Sequence, residues 1–193
     1  MLKLTKELVN KYYGKIDDRK VIKLETPINH QTSFDDMIIS DKVSQPIILM
    51  SFKNKPFSEN NKKEMYTLEL LFELMDGSNS SRFTRNLIDK KQTAINTFIS
   101  YDTYSRKENL ITLGGSPRKG ISPLQLRREI LNEFQEFVNS GLEDGELDQV
   151  KSRLLANNIY KFDSVFYQVM QVGMLETKNY NWRLLDSYMD DIN

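Results

Sequence analysis

Apolar positions along the chain alternate between two periods, and the switches between them lay out the elements. Near the start, Leu4, Leu8, Val9 and Tyr12 fall on one helical face and Gly14 follows, which predicts a helix over residues 2–13. Residues 17–33 lose the pattern. Pro27 and the polar run Asn29-His30-Gln31-Thr32-Ser33 read as a linker, with one short strand at 21–24. Two apolar runs follow, 36–43 and 47–53, separated by Ser44-Gln45-Pro46, and they predict a hairpin. In the second run Ile48, Met50 and Phe52 point to one side and Ile47 and Leu49 to the other, so that strand is expected to be central and covered on both faces.

Residues 61–75 return to helical spacing through Leu68, Leu71, Phe72 and Met75. Asn61 and Glu64 are placed to form a capping box, and Asp76-Gly77 ends the helix. Ser78-Asn79-Ser80-Ser81 offers caps for a second short helix ending near residue 89. Ile95, Thr97, Ile99 and Tyr101 alternate in a predicted strand at 93–104. Residues 109–114 are its expected hairpin partner, and Gly114-Gly115-Ser116-Pro117 is expected to break the sheet. Ser122 as N-cap, Pro123 at the first helical position and Gln125 open another helix. Its expected core face is Leu126, Ile130, Phe134, Phe137 and Val138, and Gly141 is its stop. Residues 143–177 are predicted helical in one piece or two, and a last helix runs over 182–189.

Strands arriving as hairpins and helices arriving in groups predict an α+β fold. The expected architecture is two-layered, with a largely antiparallel sheet and helices packed on one face. Apolar residues form 39% of the 193 positions, enough for a substantial core. No run approaches the roughly 18 consecutive apolar residues of a membrane span. Met1-Leu2-Lys3-Leu4-Thr5-Lys6 lacks the apolar stretch of a signal peptide, so any export leader is expected upstream of this chain.

Charge and chemistry narrow the function. Lys plus Arg and Asp plus Glu both number 27, so the basic excess expected of a nucleic-acid binder is missing, and the basic lean of the first 25 residues reads as a solvated face. The chain has no cysteine and a single histidine, His30, in the polar linker. A hydrolytic zinc site draws on about three side-chain ligands, usually with two histidines, and this inventory cannot fill it. A Ser-His-Asp triad would also have to use His30, and no G-x-S-x-G turn presents a serine. Glu143, Asp144, Glu146 and Asp148 crowd a predicted helix start, where the helix dipole accounts for them. Gly115 and Gly120 have phosphate-loop spacing, but Ile121-Ser122 stands where Lys-Ser/Thr belongs, so a strand-to-helix turn is the better reading. Phe162, Phe166, Tyr167, Met170 and Met174 form an aromatic and methionine stripe, read as core or subunit interface.

Three stretches, in order, resemble the pitrilysin or insulinase-like zinc peptidases. The first is LLFELMDGSNSSRFTRNL at 70–87, a helix, a Gly-Ser-x-Ser-Ser-Arg turn and a second helix. The second is GLEDGELDQVK at 141–151, similar to the opening of that family's long helix. The third is Asp163-Ser164 followed by Gln171-Val172-Gly173. Gln45-Pro46 and Ser116-Pro117 fit as well. The likeness runs over about 34–189 and implies the second, non-catalytic half of a bacterial member. By that resemblance, residues 1–16 are similar to the helix that ends the preceding catalytic half, 17–33 form the linker, and 34–193 form the second-half domain, stopping short of the family's last helix and strand. The resemblance thus implies a piece of a longer protein.

Further expectations follow from the family. Zinc and the general base would sit on the other half, with no cofactor in this chain. The implied partners are that catalytic half or a homologous subunit, as in a dimer, together with a peptide substrate; neither nucleic acid nor a membrane span is expected. Bacterial relatives are often periplasmic, and this is analogy only. Many members carry an Arg-Tyr pair in this half to hold the substrate carbonyl. The matching positions here are Ile88 and Ile95, which have no donor for an oxyanion, so no catalytic, cofactor-binding or metal-binding residue is assigned. The expected function is a domain that encloses the substrate chamber of a zinc metalloendopeptidase. The alternative is a domain of an inactive family member acting as an assembly subunit.

Overall fold

A computed structural model describes residues 2–17 and 44–192. The chain divides into two compact units, Met1–Asp41 and Lys42–Asn193. The described part of the first unit is helix α1, Leu2–Tyr13, as its periodicity predicts, and its residues are exposed. The predicted strand at 21–24, the linker with His30 and the first hairpin run at 36–43 lie outside the described residues.

The second unit holds a three-stranded antiparallel sheet in the order β1-β3-β2, from β1 (Ile48–Asn54), β2 (Ala94–Ser100) and β3 (Asn109–Pro117). The helices are α2 (Lys62–Asp76), a π-wound turn (Thr84–Lys90), α3 (Pro123–Ser140), α4 (Glu146–Phe162), α5 (Val165–Thr177) and α6 (Leu184–Ile192). Helix α3 packs against β1 and β3, and α2 against β2, α4 and α6. The arrangement is the expected α+β fold with a largely antiparallel sheet and helices on one face.

The register explains which side chains meet the helices. Met50, Leu113 and Ile99 lie side by side across β1, β3 and β2. Met50 and Leu113 are buried, and Ile99 packs against the same core, which also takes in Met65, Met75, Leu87, Leu126 and Ile130. The neighbouring row, Leu49, Gly114 and Phe98, lies on the other face. Among the described residues β1 is at the sheet edge, with Ile47 and Leu49 both more than half exposed, so the expected central strand is β3 instead.

Gly114-Gly115 does not break the sheet; it runs through its centre. A Cβ on Gly114 would stand 2.0 Å from the Ile48 carbonyl oxygen, and one on Gly115 would stand 2.4 Å from that of Asn96. The flanking strands approach so closely that only glycine fits, a packing role that looks like a turn signal in sequence.

Smaller departures have local causes. Asn61 caps backward rather than forward: its Oδ1 accepts from Ser58 N at 2.8 Å and its Nδ2 donates to the Pro56 carbonyl, so the Asn61–Glu64 box does not form. Ser122 Oγ accepts from Gln125 N as expected, and Gly141 ends α3 at φ 73°. Val138, expected in the core, is 73% exposed. The 143–177 stretch is two helices, because Ser164 starts a new one by accepting from Tyr167 N. On α5, Phe166 and Met170 of the aromatic and methionine stripe are exposed, together with Val165 and Val169.

Candidate functional site

The turn after α2 begins at Gly77, whose N–H closes on the Glu73 carbonyl at 2.9 Å. Ser81 then folds back, donating its N–H and its hydroxyl to the Ser78 carbonyl. The chain next winds with an i to i−5 bond, Lys91 N to Asn86 O at 2.8 Å, which marks π geometry. This winding sends Phe83 and Leu87 into the core, while Arg82, Arg85 and Asn86 reach toward the start of α4 and the face of α3.

Arg82 is almost fully buried and pairs side-on with Glu146, Nε to Oε1 at 2.8 Å and Nη2 to Oε2 at 2.6 Å. Its Nη2 also reaches the Gly141 carbonyl at 2.8 Å, and its guanidinium lies 5.0 Å from the centre of the Phe137 ring. Arg85 forms a second fork with Glu143 at 3.0 and 3.1 Å. Arg153 returns from α4 to Ser78 Oγ and the Glu73 carbonyl, both at 2.9 Å. Glu133, buried on α3, takes Asn86 Nδ2 at 2.6 Å and Lys91 Nζ at 2.8 Å on its two oxygens.

These contacts set the electrostatics. The hydrogen bond from Arg82 holds Glu146 below the ordinary carboxylate range, and that from Arg85 does the same for Glu143. The acidic cluster, read from sequence as a response to the helix dipole, is therefore anchored by two arginines through Glu143 and Glu146. The signal was available: the arginines sit in the first family-like stretch and the glutamates in the second. Sequence spacing alone does not say that the two stretches touch.

A third arginine ties the chain at Ile88 to Ala94, the residue before Ile95. Arg118 donates at 3.3 Å to both the Ile88 and Ala94 carbonyls. Ile88 packs against the core, whereas Ile95 is half exposed. Ile95 is also the extra residue of a β-bulge, since Ala94 pairs with Pro117 and Asn96 with Ser116. That bulge explains why the predicted alternation fails at its first member.

The described residues contain no group of three or more His, Cys, Asp or Glu side chains placed to hold a metal ion. With one histidine and no cysteine in the whole chain, the donor set does not suit a hydrolytic zinc. The arginines and glutamates of the turn are engaged with one another, and what this arrangement does is hold the turn, α3 and α4 together.

The model of the peptidase M16 inactive domain matches residues 3–154. The chain belongs to this family. Solved structures share its fold. A protease from Helicobacter pylori superposes with a TM-score of 0.81 at 17% identity, covering 100% of this chain and 46% of that one. The M16 inactive domain from Pseudomonas fluorescens gives 0.62 at 16% identity, over 76% of this chain and 34% of that one. The inactive peptidase domain of a Bordetella parapertussis protein named, by inference, a zinc protease gives 0.64 at 12% identity, over 80% and 82%. No curated protein matches. The M16 inactive domain described here thus spans about half the length of the Helicobacter pylori chain. Among its described residues no helix is long and apolar enough to cross a membrane.

Proposed function

We propose that this M16 inactive domain is the non-catalytic half of a zinc metalloendopeptidase. In this reading it packs on the half that bears the zinc and walls off the chamber that holds an extended peptide. The observation that carries it is the match of the inactive-domain model over 152 of 193 residues, together with a donor set unsuited to zinc. The end of α4 and the outer side of α5 support a packing role. Ile159, Tyr160, Val165, Phe166, Val169 and Met170 are all more than half exposed, and apolar patches of this kind mark contact surfaces. Zinc on the other half would supply the activated water, and this chain would restrict access and exclude solvent. Residues 1–16 would then be the closing helix of that other half, and 17–33 the linker.

A second reading is favoured by Ile88 and Ile95, which place hydrocarbon where many relatives hold a substrate carbonyl. There the domain belongs to an inactive member and serves as a partner or assembly subunit.

The test is a purified chain assayed for metal and peptide hydrolysis, alone and with the zinc-bearing half of the same protein added. The first reading expects far less than one zinc per chain and hydrolysis only in the mixture. Binding of the two halves without hydrolysis supports the second. A tight stoichiometric zinc on this chain alone overturns both.

A further inference from the structure

A separate feature lies among the helices, away from the arginine turn. A cleft of about 170 Å³ opens between α2, α4, α5 and α6. Glu69 and Glu73 of α2 line it, with Tyr104 and Tyr188, Asn157 and Gln171. Glu73 is paired with Arg153, whose Nη2 stands 3.4 Å from its Oε2 and 2.9 Å from its carbonyl oxygen. Glu69 is held differently. Its Oε1 accepts from the Tyr188 hydroxyl at 2.8 Å and its Oε2 from the Thr103 hydroxyl at 3.1 Å. Both donors are neutral. A carboxylate offers about four acceptor positions, and these two bonds leave roughly half of them open. The ring that carries the Tyr188 hydroxyl is itself packed in place. Tyr188 stacks edge-on with Tyr66 at 5.3 Å, and Tyr66 is hydrogen-bonded to Tyr104 at 2.8 Å.

An anion half-buried among rings, with neutral donors and open lone pairs, is costly without a counter-charge. Burial accordingly raises the Glu69 carboxyl above its ordinary value. Lys161, an exposed side chain that also lines the cleft, has its ammonium 6.0 Å from the centre of the Tyr167 ring; its charge draws the Glu69 carboxyl down, while the neighbouring Glu73 pushes it up. Tyr167, Asn157 and Gln171 also line the cleft and bring an aromatic ring and two amide groups, the kinds of group that can receive a cation. At about 30 Å³ per water, the cleft holds the equivalent of roughly five or six waters. That is room for an alkylammonium and not for a folded partner.

We propose that this cleft binds a small primary ammonium group, with the Glu69 carboxylate as its counter-ion. The group is a free amine or the side chain of a lysine in a peptide. Lys161 competes electrostatically with the ligand and sets its affinity.

The test is an NMR titration of the full chain at matched ionic strength with two probes, n-butylamine and Nα-acetyl-lysine methylamide. Saturable shifts of the Asn157 and Gln171 side-chain amides are expected. Saturation by both probes, or by butylamine alone, identifies a free-amine site, and saturation by the lysine derivative alone identifies a peptide side chain. Glu69→Gln keeps the shape and one accepted hydroxyl bond, with the other hydroxyl turning to accept from the new amide, and is expected to weaken binding at least about ten-fold, the loss of a charge-assisted bond. Removing the like charge in Lys161→Met is expected to tighten binding by about three- to five-fold. The absence of saturable shifts in the parent chain overturns the proposal, as does equal binding by Glu69→Gln. Should Glu69→Gln fail to fold, the exposed Lys161→Met decides, and unchanged or weaker binding there overturns it.

Discussion

Arg82 and Glu146 lie 64 positions apart and meet as a two-bond fork at 2.8 and 2.6 Å, with both side chains mostly out of water. Removing one member leaves the other charged and buried. Glu146→Ala is expected to destabilise the domain by about 3 kcal/mol, within the usual range for breaking a buried pair. Arg85→Ala removes a fork that is open to solvent and is expected to cost less than about 1 kcal/mol. Urea unfolding of the two variants checks the ranking, and equal losses would refute it.

The same pair gives the stability a defined acid limb. Arg82 depresses the Glu146 carboxyl in the folded state below its ordinary value of 4.5. A lowered folded value means that the stabilisation is complete above pH 4.5 and is lost as pH falls through the folded value. Melting temperatures of the parent chain and Glu146→Gln are therefore expected to differ most near neutrality and to converge below pH 4.5. A gap that widens in acid would contradict this.

The buried tyrosines act on the alkaline side. Burial pushes Tyr66 and Tyr101 up to about 12, and raises Tyr104 and Tyr188 as well. With the folded values raised, this contribution is intact below pH 10 and drains away as pH climbs beyond it. Absorbance titration of tyrosinate is expected to show a late group that ionises only as the chain unfolds. A single transition finished by pH 11 in still-folded protein would exclude it.

Two glycines should respond with opposite sign. Gly114→Ala forces a methyl onto the Ile48 carbonyl oxygen, and a cost of at least about 2 kcal/mol is expected, if the protein folds at all. Gly173, within α5, has nothing within 4 Å of its would-be Cβ. Gly173→Ala is expected to stabilise by about 0.5–1 kcal/mol through helix propensity and a less flexible unfolded chain. Thermal melts of the two variants settle both.

Periodicity made most helices of the second unit legible, because one buried stripe per helix is a local property. Ser122, Pro123 and Gly141 bracket α3 where local cap chemistry says they should. What escaped was non-local. The role of Gly114-Gly115 depends on two other strands pressing in from either side. The place of β1 at the edge among the described residues, and the outward position of Val138, depend on what is packed where. The bulge at Ile95 inserts one residue into a strand and so displaces every alternation count made across it. Glu143 and Glu146 were visible as an acidic cluster, but their partners are 58 to 64 positions upstream and no spacing rule connects them.

The polar ties have a topological consequence. Arg82–Glu146, Arg85–Glu143, Arg153–Glu73, Lys91–Glu133, Lys178–Asp102 and Lys62–Asp191 all straddle the exposed loop at Lys119-Gly120, where Gly120 takes φ 90° with open space around it. A nick at that loop would yield a sheet-rich piece and a helix-rich piece with six matched halves of charge between them. The core also spans the cut, with Met50 and Leu113 on one side and Leu126 and Ile130 on the other, so neither piece could bury its apolar share alone and the two would be driven to reassemble, making this loop the natural seam for a split version of the domain.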